Sequence, residues 1–205
     1  MAARSAETSL DLLQTTMRNM PVRHRTMRNV FAYSWRLLTT TEQQAAMQFA
    51  LFRGSADRGA LMAITGKAPL TLTELVHKSL VQRDSDGRFA MHELLRQFCL
   101  EQLVAANEPV IVTTTRQRHA TYYMQMLHEA EVTIKGHDPQ PLLTQLQRDL
   151  DNIRQAWQWA MHSSHWALIE QSLSGLTRYY LLLGLLSEGR QIMREAATLL
   201  RTALT

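Results

Sequence analysis

The dipeptide Asp86-Gly87, set between Leu80-Val81-Gln82-Arg83 and Arg88-Phe89-Ala90-Met91, most narrows what this chain can fold into. An Asp-Gly pair between two short strand-prone runs specifies a tight hairpin, whereas the flanking sequence is patterned as helix. Two strands alone are marginally stable, so this hairpin must pack on helices through Leu80, Val81, Phe89 and Met91. The chain then passes straight into an amphipathic helix beginning at Met91-His92-Glu93. His92 therefore sits at a strand-to-helix junction, where free backbone N–H groups and the positive end of the helix dipole favour a phosphate. That position suits a sensor better than a catalyst.

Upstream, Met27, Val30, Phe31, Ser34, Trp35 and Leu38 recur at three- and four-residue steps with Arg25, Arg28, Asn29 and Arg36 opposite, which predicts an amphipathic helix from Thr26. Pro21 separates it from a helical stretch over Leu10 to Met20. Thr40 or Thr41 is expected to cap the next helix, with Glu42 in its first turn, and that helix runs to about Phe52. Arg53-Gly54-Ser55-Ala56 reads as a loop, Asp57 opens a short helix that Gly66 ends, and Pro69 leads into a helix over 70–80. Three helices, a two-stranded wing and a further helix are the order of a winged-helix module, assigned here to residues 23–107.

After Asn107, Tyr122, Tyr123, Met126, Leu127 and Ala130 share one side of a helix over 116–134, and Gly136-His137-Asp138-Pro139 breaks it. Leu143, Leu146, Leu150, Ile153, Trp157 and Ala160 form an apolar stripe over 141–161. Trp166 to Leu183 and Leu186 to Leu204 make another helix pair. The fold class is therefore mainly α: a winged helix with a small β-hairpin, then antiparallel pairs of a tetratricopeptide-like solenoid over 108–205. The face Ile192, Ala196, Leu199 and Leu200 is expected to have no following helix to cover it.

With 205 residues, 45% of them hydrophobic, and no apolar run of bilayer length, the chain reads as a cytoplasmic globular protein without a membrane partner. Its N-terminus lacks the pattern of a secretion signal. Cys99, the sole cysteine, lies beside Leu95 and Phe98 and reads as a buried thiol. Arg4, Arg18, Arg23, Arg25, Arg28 and Arg36 against Glu7 and Asp11 account for the whole net charge of +4. Such a basic segment can meet nucleic acid, an acidic partner or a nucleotide.

The strings Pro21 to Leu38, Phe49-Ala50-Leu51-Phe52-Arg53-Gly54, Leu75-Val76-His77-Lys78-Ser79-Leu80 and Met91 to Phe98 occur in an order that resembles bacterial STAND-class, NB-ARC-like ATPases, which include regulators of the LuxR and SARP types. That resemblance implies a nucleotide-binding domain, a helical lid, a winged helix and a tetratricopeptide-like sensor array in succession. It makes residues 1–22 the end of the lid or a linker. Met91-His92-Glu93 matches the family's Met-His-Asp motif, with Glu93 in place of aspartate, and implies that His92 contacts the β-phosphate of ADP held by a nucleotide domain in cis or in trans. Arg23, His24 and Arg25 become an interdomain contact. The helical array would receive a protein or small-molecule signal.

No phosphate-loop motif accompanies these strings. At Gly66-Lys67, Leu61 stands where the first glycine belongs and Ala68 where the hydroxyl should be. The chain is thus expected to be no enzyme and to hold no cofactor alone, ADP or ATP belonging to a parent protein; it reads as a C-terminal portion of such a protein or a short descendant of one. No catalytic constellation stands out. His162 and His165 have no third partner at metal-ligand spacing and read as surface histidines, and Trp157, Trp159 and Trp166 read as packing between helix pairs. The rival reading is a winged-helix DNA-binding regulator with a helical effector or dimerisation domain. Glu74 in the presumed recognition helix, and Asp84 and Asp86 interleaved with Arg83 and Arg88 in the wing, argue against it.

Overall fold

The computed structural model describes residues 22–134 and 140–203, so the lid or linker expectation for 1–22 and the break at 136–139 fall largely outside the described residues. Ten helices and a small sheet make up the described part. Helix α1 (Val22–Arg36) precedes α2 (Thr40–Phe49), strand β1 (Ser55–Ala56), α3 (Arg58–Thr65), α4 (Pro69–His77), β2 (Gln82–Arg83), β3 (Phe89–Ala90) and α5 (Glu93–Ala105). Helices α6 (Pro109–Ile134), α7 (Gln140–Arg148), α8 (Leu150–His162), α9 (Trp166–Leu182) and α10 (Leu186–Ala203) follow. The fold is mainly helical, with antiparallel helix pairs behind a small β-hairpin. No helix among the described residues is long and apolar enough to cross a membrane.

Local chemistry explains most element ends. Thr39, not Thr40 or Thr41, caps α2: its hydroxyl accepts from the Glu42 backbone N–H while Glu42 accepts from the Thr39 N–H at 2.6 Å. This reciprocal capping box satisfies two donors that would otherwise lack partners. Asp57 caps α3 by accepting from Ala60 N–H at 2.7 Å, and Gly66 closes it at φ +65°. Pro69 occupies the first turn of α4, where its missing N–H costs nothing. The helix stops at His77, three residues earlier than expected, and Leu80 and Val81 turn beneath it into the core.

The hairpin forms, and it gains a third strand. Ser55-Ala56, expected as loop, pairs with Ala90-Phe89, while Gln82-Arg83 pairs with the other edge of the same strand, all antiparallel, in the order β1-β3-β2. The third strand occupies the edge of β3 that β2 leaves unpaired, satisfying backbone groups that a two-stranded hairpin would leave open. Asp84 ties the turn, its carboxylate accepting from the backbone N–H groups of Asp86 and Arg88 at 3.0 and 2.9 Å. Leu80, Val81 and Phe89 are buried and Met91 is partly so, as packing of the hairpin on the helices requires.

Position 107 falls in the turn between α5 and α6, where Asn107 adopts φ +51°. The core does not stop there. One cluster of buried side chains runs from Leu38 through Phe52, Leu75 and Phe98 to Tyr123, Trp157, Tyr179 and Ala196. Helix α6 is its spine, packing on α2 and α3 on one side and on α8 and α9 on the other. Gly175 permits the closest of these approaches, since a Cβ there would lie 1.9 Å from the Leu127 carbonyl oxygen.

Two helical expectations are corrected. Val30, assigned to the apolar side of α1, is exposed, and Phe31, Trp35 and Ala32 make the contact instead. The stripe over 141–161 is two helices bent at Asp149, not one. The preceding helix α9 packs on α10, where Ala196 is buried with Ile192 and Leu199 beside it; the exposed large apolar residues of this pair include Leu173, Leu181, Leu182 and Leu186.

Candidate functional site

His92 sits where the hairpin hands over to α5, as the N-cap of that helix. Its Nδ1 accepts the Leu94 backbone N–H at 3.2 Å. An accepting Nδ1 is unprotonated, which assigns the ring proton to Nε2 and leaves an N–H donor on the exposed edge of the imidazole. Glu93 turns away from this edge. Arg96 grips its carboxylate with two bonds of 2.7 and 2.8 Å, Gln97 adds a third at 3.0 Å, and Arg96 also donates to the Ala50 carbonyl at 3.2 Å. The Arg96 guanidinium beside it holds the Glu93 carboxyl down to about 2. Glutamate at the third motif position is long enough to serve α5 internally, its carboxylate being engaged by Arg96 and Gln97. Arg23, His24 and Arg25 lie on the first turns of α1, with side chains outside the described residues.

Residues not singled out from sequence form the polar seam between the hairpin and the helices that follow α5. Arg88, just before β3, donates through Nε to Ser55 Oγ and through Nη2 to the Ser55 carbonyl, each at 2.9 Å, and reaches Asp149 Oδ1 at 2.5 Å. Asp149 is completely buried and Arg88 is nearly so. Burial works against charge on both. The Asp149 carboxyl is pushed above its ordinary value, and Arg88 is nonetheless held charged, above the usual arginine value, by Asp149. The bend between α7 and α8 is what delivers this carboxylate.

One turn further on, Asn152 links three elements. Its Oδ1 accepts the Arg53 N–H at 2.8 Å and contacts His119 Nε2 at 3.3 Å, while Nδ2 donates to the Ser55 carbonyl at 3.0 Å. Gln155 Nε2 donates to the Leu51 carbonyl at 2.7 Å, and Gln48 to Thr115 at 3.0 Å. Burial lowers the His119 pKa to about 4, so that ring is neutral. The available signal was small: Asp149 and Asn152 fall on the same helical face as Leu146, Ile153 and Ala156, two polar residues inside an apolar stripe.

The seam consumes the cations that a DNA-binding wing would need. Arg88 is buried against Asp149, Arg83 lies 5.8 Å from the centroid of the Phe89 ring, and Arg148 pairs with Asp86 at 2.6 Å. In the presumed recognition region, Lys78 is paired with Glu42 at 2.6 Å, and α4 itself offers Leu70, Thr73 and His77 to solvent. Of the basic N-terminal helix, Arg28 is paired with Glu101 on α5. Gly66-Lys67 ends a helix, with Lys67 on Gln44, whereas a phosphate loop must open one.

The remaining candidates take structural roles. His162 bonds the Gln158 carbonyl at 2.7 Å and His165 stacks on Trp159 at 4.7 Å. Trp157 is buried in the core. Cys99 is fully buried, and burial raises its thiol to about 12.

No family model matches this sequence. It is 30% identical over 164 residues to proteins from Mycobacterium bovis and from two strains of Mycobacterium tuberculosis that are named HTH-type transcriptional regulators, an assignment their names mark as provisional. The alignments cover 75% of this chain but 18% of each relative. Among solved structures, a Signal Transduction ATPase with Numerous Domains (STAND) protein with a tetratricopeptide repeat sensor from Pyrococcus horikoshii aligns with 87% of this chain and 34% of its own. Its TM-score of 0.41 and identity of 13% are too low to bear on either fold or function. The chain is thus similar to one segment of proteins named as regulators, and spans less than a fifth of their length.

Proposed function

We propose that this chain is a regulatory, non-catalytic module of a STAND-type signalling ATPase or transcriptional regulator. In this reading a winged helix, residues 23–107, senses the nucleotide held by a separate domain, and the helical array over 108–205 receives the signal. The observation that carries it is the capping bond of His92. Because Nδ1 is spent on Leu94 N–H, the Nε2–H donor is displayed at a helix N-terminus, where a phosphate oxygen gains both a hydrogen bond and the helix dipole. His92 would touch ADP in one orientation of the module and lose it in another, so that nucleotide state biases a two-state rotation. The array would move with the hairpin because the Arg88–Asp149 and Asn152 bonds tie them.

The winged-helix DNA-binding reading shares the element order but has few free cations at the surface that would face a duplex. The two readings separate in one experiment: fluorescence anisotropy of duplex DNA across a salt series, beside calorimetry with ADP and ATP. The sensor reading predicts no useful duplex affinity at physiological salt and no nucleotide binding without the nucleotide domain. Affinity for DNA that falls steeply with salt would favour the rival.

A further inference from the structure

Helices α9 and α10 approach closely at Gly189, where a Cβ would lie 3.0 Å from the Tyr180 Cβ. Beside that contact they leave a groove of about 590 Å³, lined by Leu181 on α9 and by Leu186, Arg190, Met193 and Arg194 on α10, among others. Leu181 and Leu186 are 60% and 49% exposed, so two large apolar side chains of one groove stand in water.

The groove carries charge of one sign. None of the residues that line it is acidic. Of the glutamates on α10, Glu188 accepts from Arg154 and the Tyr180 hydroxyl, and Glu195 accepts the Gln191 amide. Arg190 and Arg194 are exposed and make no ion pair among the described residues. They lie one turn apart on α10, the spacing at which a facing helix presents two carboxylates of its own. An extended segment would find no backbone partners here, because α9 and α10 bond their own N–H and C=O groups, whereas a helix arrives with its backbone already paired. A second copy of the chain is a poor occupant: its exposed Val30 and Tyr33 belong to α1, a helix without an acidic residue, and would bring arginine against arginine.

We propose that this groove docks an acidic amphipathic helix of a separate protein, its apolar side chains between Leu181, Leu186 and Met193 and two of its carboxylates, one turn apart, on Arg190 and Arg194. Apolar burial supplies the affinity, and the pair of arginines selects the sign of the partner and its register. The proposal deepens the reading above by naming the kind of protein the array would receive, and only its meaning as a signal rests on that reading. Nucleotide sensing through His92 can fail with this docking intact, and the reverse.

The test is fluorescence anisotropy of a labelled helical peptide of about 20 residues, with leucine along one face, glutamate flanking it and alanine elsewhere, titrated with the whole chain. One control peptide carries lysine for every glutamate, and another alanine for every leucine. Saturable binding of the glutamate peptide, about tenfold or more tighter than either control, is expected. Leu181→Ser should weaken it by about tenfold or more, and the double variant Arg190→Glu/Arg194→Glu should reverse the preference in favour of the lysine peptide, with the circular dichroism spectrum unchanged because all three side chains are exposed. No saturable binding of the glutamate peptide up to about 0.5 mM chain, equal affinity for the lysine peptide, or indifference to the charge reversal overturns the proposal. Two further results overturn it by naming another occupant: a dimer in sedimentation that Leu181→Ser returns to monomer, or loss of peptide binding in a longer protein that contains this segment.

Discussion

Replacing Arg88 by methionine removes the cation paired with the wholly buried Asp149 carboxylate. Arg88 makes bonds to Ser55 Oγ, the Ser55 carbonyl and Asp149, and a methionine keeps much of its stem packing while supplying none of them. Breaking one side of a buried pair costs about 3–5 kcal/mol, which for a chain of this size lowers the melting midpoint by roughly 10 °C. The deficit should depend on pH in a definite direction. Burial already places the Asp149 carboxyl above its ordinary value, and without the guanidinium it rises further. A carboxyl whose folded pKa exceeds its unfolded one binds a proton more readily when folded, so the destabilisation of Arg88→Met is greatest at neutral pH and shrinks as pH falls toward the ordinary aspartate value. The double variant Arg88→Met/Asp149→Leu removes both charges and should lie within about 1 kcal/mol of the parent. Urea denaturation of the three proteins at neutral and acid pH reads these numbers. A loss below about 1 kcal/mol for the single variant, or one indifferent to pH, would refute the claim that this pair joins hairpin to array.

Other outcomes follow from the same geometry. His119, lowered to about 4 from 6.5 by burial, contributes stability that is fully present above pH 6.5 and lost as pH falls toward 4, about 3 kcal/mol in all; a denaturation series in which His119→Gln shows the same slope would contradict this. Gly175→Ala drives a Cβ to 1.9 Å from the Leu127 carbonyl and should cost about 3 kcal/mol or more by chemical denaturation, because neither helix can yield without reopening the core. Thr39→Ala removes the capping box and should cost about 1 kcal/mol, a loss that disappears if the first turn of α2 is held by Glu42 alone. The Cys99 thiol should resist iodoacetamide in the folded protein and react on unfolding, as followed by mass spectrometry.

The hairpin, the Asp57 and Gly66 ends of α3 and the position of His92 were readable because each is set by neighbours a few residues apart. The third strand was not, since Ser55-Ala56 has no strand signal of its own and forms only because β3 presents an unpaired edge. Arg88 and Asp149 are sixty-one residues apart. Local pattern places Arg88 in a solvent-facing wing, and only tertiary packing reveals that it points inward. Asn152, His119 and Gln155 were missed for the same reason, each being ordinary in its own helix and meaningful only where three segments meet. The capping bond that fixes the His92 tautomer also lies beyond sequence, although the helix start that makes it necessary does not.

The most direct measurement is the rate of ADP release from a protein carrying both a nucleotide domain and this segment, compared with its His92→Asn variant. Asparagine can still accept the Leu94 N–H as an N-cap, so the helix start is preserved while the Nε2–H donor is lost. Faster ADP release at an unchanged unfolding midpoint is the predicted result. Release at the parent rate from the folded variant would contradict the assignment of His92 as the nucleotide sensor.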